Sequence, residues 1–233
     1  MQFLEKINNF LKETLFPIFC LGCDTEGKWI CDNCRFSFDT NGIFLCAVCK
    51  THTVFGKTCD KCKKKTNLES VCAVFNFKKN LNASNLVSIW KYQYAEELVE
   101  NIDNFAQEFA RSNFSLFLEI DAIVPVPLHP RRFAERGFNQ AEIIAQSLSK
   151  VLEKPVVNLL KRKRYTKQQA KLKKHKRIKN VVGAFTTQKD FQKYNRVLLV
   201  DDVYTTGSTI NECANVLHSG GVQTVDSFVL VRG

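Results

Sequence analysis

Val197-Leu198-Leu199-Val200-Asp201-Asp202-Val203-Tyr204-Thr205-Thr206-Gly207-Ser208-Thr209 is the stretch from which the rest of the chain can be read. Four apolar residues emerge from a polar, basic approach at 193–196 and run straight into two adjacent carboxylates. A turn rich in hydroxyls, with one glycine, follows, and a helical pattern begins at Ile210. An uninterrupted apolar run bounded in this way predicts a strand buried on both faces of a parallel sheet. Its C-terminal end, where Asp201 and Asp202 fall, is where open α/β sheets hold their ligands. Thr205, Thr206, Gly207, Ser208 and Thr209 bring backbone N–H groups and hydroxyls together at a helix N-terminus. Orphan donors and the helix dipole there favour an anion such as a phosphate.

Two carboxylates beside a phosphate cradle repel a bare anion, so the ligand has to offer them hydroxyls or a divalent cation. Ribose 5-phosphate carrying a Mg²⁺-bound pyrophosphate offers both. The segment resembles the 5-phosphoribosyl 1-pyrophosphate (PRPP) signature of the type I phosphoribosyltransferases: an apolar run, two acids, then Thr-Thr-Gly-x-Thr. That resemblance implies that Asp201 and Asp202 hold the ribose 2′ and 3′ hydroxyls at the catalytic centre and that the 205–209 loop holds the 5′-phosphate. The alternative is a buried strand leading into an N-capped helix, but a cap needs one such residue rather than a row of them.

The chain has 233 residues, room for one large or two small domains, and its 45% apolar share is enough for a real core. A net charge of +11 favours polyanionic partners and says nothing about fold. No apolar run reaches the length of a membrane span. Glu5 and Lys6 interrupt the apolar N-terminus and no small-residue cleavage site follows. A signal peptide is therefore not expected, and the cytoplasm is the expected compartment.

Eight of the ten cysteines form four Cys-x-x-Cys pairs, Cys20/Cys23, Cys31/Cys34, Cys46/Cys49 and Cys59/Cys62, within 43 residues. In a reducing compartment this spacing argues for metal rather than disulfides. Eight thiolates make two tetrahedral Cys₄ zinc sites, with an iron–sulfur cluster or a redox relay as the competing readings. The loops between the pairs hold seven, eleven and nine residues, too little chain to bury a core, so the metal must supply the folding free energy. Closed Cys₄ sites leave no position for substrate and read as structural. Sequential and interleaved pairings both fit the spacing. Cys72 and Cys213 lie alone in apolar surroundings and read as core residues.

Ahead of the cysteines, residues 1–19 place Phe3, Leu4, Ile7, Phe10, Leu11, Leu15 and Phe16 on one helical face. This amphipathic helix either packs on the protein's own body or docks elsewhere. Lys57, Lys61, Lys63, Lys64 and Lys65 make the end of the cysteine module positive, a surface for nucleic acid or a solvated face. Residues 71–77 alternate as an edge strand does, and 86–92 and 96–109 read as helices, the second turning Leu98, Ile102, Phe105 and Phe109 inward. Lys91, set between aromatics, either reaches a phosphate or is a surface lysine.

Ile120-Asp121-Ala122-Ile123-Val124-Pro125-Val126-Pro127 is a second buried strand, ended by two prolines. After it comes His129-Pro130-Arg131-Arg132-Phe133-Ala134-Glu135-Arg136, then Gly137-Phe138-Asn139-Gln140 and an amphipathic helix to about Leu152. In type I phosphoribosyltransferases the loop after the first core strand receives the pyrophosphate. Arg131, Arg132 and Arg136 suit that role, because guanidinium forks match phosphate geometry. The alternative, a helix with a basic first turn, is disfavoured by the dipole. Residues 161–179 then hold eleven lysines and arginines and no acid, a run that repels itself without an anion. Residues 181–185 read as a short strand, Gly220-Gly221 as a turn, and 222–231 as the last strand. Strands alternating with helices imply a mainly parallel sheet.

Together these segments resemble the ComF family of competence-associated proteins (ComFC- or GntX-like) over essentially the whole chain. The matching pieces are the four Cys-x-x-Cys pairs and Val124-Pro125-Val126-Pro127-Leu128 with Arg136-Gly137-Phe138-Asn139-Gln140. To these are added Arg164-x-Thr166-x-x-Gln169-x-x-Leu172, Arg177-x-x-Asn180 with Ala184-Phe185, and the Asp-Asp-Val-x-Thr-Thr-Gly-Ser-Thr loop. One departure is Lys173-Lys174-His175-Lys176, where relatives tend to carry a serine and an acid. The resemblance implies a double zinc ribbon joined to an α/β, type I phosphoribosyltransferase-like domain. The expected boundaries are 1–19 for the helix, 20–68 for the zinc module and 69–233 for the larger domain.

It also implies a part in natural transformation, handling incoming single-stranded DNA beside a DNA-translocating ATPase or helicase. Lys161, Arg162, Lys163, Arg164, Lys167, Lys173, Lys174 and Arg177 are the expected nucleic-acid contacts. Only Tyr165 interleaves the basic run, so no stacking platform is evident there. The competing reading is an active phosphoribosyltransferase that passes ribose 5-phosphate from PRPP to an acceptor, although no segment for an acceptor hood is evident.

Overall fold

The computed structural model describes residues 17–77, 81–91, 96–166, 180–188 and 193–233. Most of the expected 1–19 helix lies outside the described residues. Among those described, seven strands are present: β1 (Ile43–Phe44), β2 (Ser70–Asn76), β3 (Ala122–Pro125), β4 (Leu160–Arg162), β5 (Phe185–Thr187), β6 (Arg196–Tyr204) and β7 (Thr224–Arg232). The α-helices are α1 (Asp32–Arg35), α2 (Leu81–Trp90), α3 (Glu96–Ser112), α4 (Pro130–Arg136), α5 (Gln140–Leu152) and α6 (Ser208–Ser219).

Five strands form one sheet in the order β1-β2-β7-β6-β3. The β2–β7, β7–β6 and β6–β3 pairs are parallel and β1 joins antiparallel. The apolar run of β6 is covered on both faces, as its lack of alternation predicts. Leu198 and Val200 join a core that includes Ile102, Phe105 and Phe109 of α3 and Ile144 and Leu148 of α5. Val197 and Leu199 join a second core with Ile210, Cys213 and Leu217 of α6. Thus α3 and α5 pack on one face of β6, and α6, the helix leaving it, packs on the other. The crevice beyond the β6 carboxyl end is the switch point at which open α/β sheets bind ligands. Leu98, Ile102, Phe105 and Phe109 all face inward as expected, and Cys72 and Cys213 are buried.

The second strand departs from its expected place. β2 is buried through its five central residues and sits inside the sheet, because Ile43 and Phe44 of the cysteine module pair with Ala73 and Cys72. A two-residue strand carries too little periodicity to be seen, so β2 looked like an edge. The amphipathic helix expected after Gln140 is present as α5, while the 130–136 stretch, expected as a loop, is itself a short helix, α4, the alternative that its basic first turn disfavours. α4 starts on a His129 cap whose ring accepts from the Arg131 N–H, and it ends at Gly137, in the left-handed region at φ 79°. Asn139 then caps α5. The strand expected at 181–185 lies further on, at β5, which pairs antiparallel with β4 as a separate two-stranded ribbon.

Candidate functional site

The carboxyl ends of β6, β3 and β7 open on a cleft of about 390 Å³. Asp201, Asp202 and all five residues of the 205–209 loop line it, as do Lys91, Arg132, Arg136, Gln140 and Arg162. The two aspartates therefore face a cavity at the end of the strand, where the apolar run before them predicts it.

Asp202 is 8% exposed, and its carboxylate pairs with the Lys91 ammonium at 3.0 Å. The Asp201 carboxylate accepts the Asp202 N–H at 2.9 Å. Burial, then the like charge of Asp202, push the Asp201 carboxyl up to about 7. Such a pair gains most from a ligand that brings hydroxyl donors or a cation. In the loop, Gly207 takes φ 71°, and a Cβ there would lie 2.1 Å from the Tyr204 hydroxyl oxygen. Only glycine fits that turn without a shift. The Thr206 and Ser208 hydroxyls lie 2.8 Å apart, and α6 points its first N–H groups toward the loop.

The opposite wall is cationic. Arg132 donates to the Thr166 carbonyl at 2.7 Å, and Arg162 donates to the Thr166 hydroxyl at 2.5 Å. Arg136 donates to the Gln140 side-chain oxygen at 3.1 Å. Gln140 is 2% exposed and Arg162 5%, yet Gln140 Nε2 and Arg162 Nε find no hydrogen-bond partner among the described residues. A buried donor left unmade costs about 1–3 kcal/mol. Two of them on one cleft wall point to an acceptor-rich ligand. Burial, with Arg132 next to it, lowers the Arg162 guanidinium to about 10.

Two of the expected site residues stand elsewhere than expected. Arg131 does not line the cleft: its side chain is 69% exposed, pairs with Glu135 at 3.4 Å and lies 4.9 Å over the Tyr165 ring. The short α4 turns Arg131 away while Arg132 is buried. Arg162, expected among the nucleic-acid contacts, is a cleft residue. β4 alternates, so Lys161 is exposed and Arg162 is turned inward beneath it. Lys163 and Arg164 are exposed, and Arg164 donates to the Asn180 and Val182 carbonyls. Lys167, Lys173, Lys174 and Arg177 lie outside the described residues. Gln140 lines the cleft without having been expected there, and Lys91, for which a phosphate contact and a surface position were both open, lines it too and pairs with Asp202. Gln140 closes the Arg-Gly-Phe-Asn-Gln motif, which was the one available signal for it.

The eight module cysteines gather sequentially, Cys20, Cys23, Cys31 and Cys34 in one cluster and Cys46, Cys49, Cys59 and Cys62 in the other. Within each, all sulfur atoms lie within 4.8 Å of one another. Adjacent sulfurs stand 3.6–3.7 Å apart. A tetrahedral Zn–thiolate site with bonds of about 2.3 Å has edges of roughly 3.8 Å, close to these separations, so each donor set could hold zinc.

This cleft, sheet and loop belong to a known class. Residues 94–233 match the family model described as the phosphoribosyl transferase domain, and the chain belongs to that family. The resemblance to ComF proteins is carried by individual relatives. The chain is 42% identical to competence protein F of Haemophilus influenzae over 48% of this chain and 50% of that protein. It is 27% identical to competence protein ComFC of Bacillus subtilis over 94% of this chain and 96% of that protein. It is 39% identical to DNA utilization protein YhgH of Escherichia coli K12 over 48% of this chain and 49% of that protein. The chain thus spans about half the length of the first and third of these relatives in the matched region. No helix among the described residues is long and apolar enough to cross a membrane.

Proposed function

We propose that the cleft binds Mg²⁺-complexed PRPP and that the protein serves DNA uptake in the cytoplasm, handling single-stranded DNA beside a DNA-translocating ATPase. Asp201 and Asp202 take the ribose hydroxyls, and the 205–209 loop takes the 5′-phosphate. Arg132, Arg136, Arg162 and Gln140 take the pyrophosphate, whose oxygens match their forked donors. The observation that carries this reading is the convergence on one cleft of an acid pair, a phosphate-type turn and the side chains of Arg132, Arg136, Arg162 and Gln140, the last two with buried donors that have no partner among the described residues. Mg²⁺ arriving with the ligand would be held near Asp201 and Asp202 and would neutralise pyrophosphate charge. The two Cys₄ clusters hold structural zinc. The DNA role draws on the names of the relatives, on the +11 charge and on the exposed Lys161 and Lys163 of the β4 segment.

Calorimetry tests the ligand directly. Wild type binds Mg²⁺-PRPP, and Asp201→Ala/Asp202→Ala loses the heat of binding; equal affinities for the two proteins would end this reading. Turnover is the second reading, favoured by the cationic wall, which can stabilise charge developing on a departing pyrophosphate. Asp201 and Asp202 would then anchor the sugar as its C1 becomes oxocarbenium-like. Pyrophosphate release on incubation with PRPP and candidate bases or DNA distinguishes a sensor from a transferase.

A further inference from the structure

The second cysteine cluster reaches the cleft through two side chains that have no role above. Tyr204 closes β6 next to the phosphate loop, and its hydroxyl donates to the Ala47 carbonyl at 2.9 Å. Ala47 lies between the ligands Cys46 and Cys49. Arg232, paired with Tyr204 at the end of β7, donates to the Leu45 and Cys46 carbonyls, each at 2.6 Å. Its guanidinium lies 4.9 Å over the Tyr204 ring.

Arg232 is 2% exposed, and its partners are carbonyl oxygens of the cysteine knuckle and of Val71. A guanidinium so buried is tolerable only while those oxygens stay in place, because an unsatisfied buried charge costs several kcal/mol. The knuckle is itself closed by the Cys46 N–H donating to the Thr51 carbonyl at 2.8 Å. On the other side, Gly207 packs so closely on Tyr204 that a methyl group would not fit between them. Knuckle, Arg232 with Tyr204, and the turn at Gly207 form one contiguous stack. The first cluster meets the larger domain elsewhere, where Arg35 donates to Glu108 of α3 at 2.5 Å.

We infer that Tyr204 and Arg232 are positioning residues through which the second Cys₄ site holds the phosphate loop in its binding conformation, so that metal loading there sets affinity for the phosphorylated ligand. The inference rests on the PRPP reading of the cleft. Tyr204→Phe removes one hydroxyl and keeps the ring under Gly207, which makes it the informative variant. Its Mg²⁺-PRPP affinity should fall about tenfold, roughly 1.4 kcal/mol. Amide exchange of residues 205–209 should quicken while metal content stays at wild-type level. Unchanged affinity and unchanged loop exchange would overturn the inference, as would exchange that quickens evenly through the sheet. If wild type does not bind Mg²⁺-PRPP, the ligand reading falls, and loop exchange alone decides whether the mechanical link exists. Cys49→Ser and Cys23→Ser supply the second comparison. Loop exchange should quicken in the former alone, and equal responses would count against the link. Should Cys49→Ser fail to fold, Tyr204→Phe carries the decision.

Discussion

Asp201 has a carboxyl that burial and Asp202 push up to about 7. An unfolded aspartate titrates near 3.9, so between about pH 4 and 7 the folded protein holds a proton that the unfolded chain has lost. Stability from this group is therefore present at low pH and drains away as pH rises through that window. Asp201→Asn keeps the neutral shape, so its ligand-free Tm should exceed that of wild type near pH 8 by a few degrees and converge with it near pH 5. The expected scale is roughly 2–4 °C per kcal/mol for a chain of this size, read by scanning calorimetry. The same variant should bind Mg²⁺-PRPP at least tenfold more weakly, and wild-type affinity should improve as pH rises through about 7. Gln140→Leu separates function from folding in the same way. It deletes a buried amide whose Nε2 has no partner among the described residues but whose oxygen accepts from Arg136, so the two changes offset and stability should shift by no more than about 1 kcal/mol, while Mg²⁺-PRPP affinity drops about tenfold, consistent with one lost hydrogen bond to a charged group. Gly207→Ala should fail on both counts, losing about 1–3 kcal/mol of stability in denaturant titration along with ligand binding.

β4 shows what an element can hide. In sequence, Lys161 and Arg162 belong to one basic run, and charge alone gives no reason to divide them. Pairing with β5 imposes the two-residue alternation that sends Lys161 to solvent and Arg162 to the cleft wall. That pairing is decided by residues more than 20 positions away, and no local signal records it. β6 was legible for the opposite reason: its apolar run, acid pair and hydroxyl-rich turn are contiguous, so strand, ligand edge and loop could all be placed. For DNA, the expected outcome follows the exposed side of the ribbon. Lys161→Ser/Lys163→Ser should flatten the salt dependence of single-stranded DNA binding by about 1.4 in log–log slope, near 0.7 for each phosphate no longer neutralised. An unchanged slope in a filter-binding titration would move the DNA surface elsewhere on the molecule.

Across the whole molecule, the cysteine module and the sheet share more than their linear separation suggests. β1 completes the sheet beside β2, Thr66 donates to Asn211 of α6 at 2.7 Å, and Lys50 reaches the Gly233 carbonyl at 2.6 Å. The boundary expected at 68/69 follows the end of the cysteine pairs and the resemblance to a two-part family, neither of which registers backbone pairing across it. A fragment of residues 69–233 should consequently fold poorly, because Arg232 would lose its Leu45 and Cys46 carbonyls; limited proteolysis and circular dichroism would register this. At the amino edge of the sheet, Asp226 of β7 takes Ser70 of β2 and Arg196 of β6, and Arg196 also pairs with Glu119 ahead of β3. The Asp121 carboxylate accepts the N–H groups of Asn195 and Arg196. All four parallel strands are thus sutured at one margin, so the strand ends that frame the cleft keep their relative heights from the opposite side of the sheet.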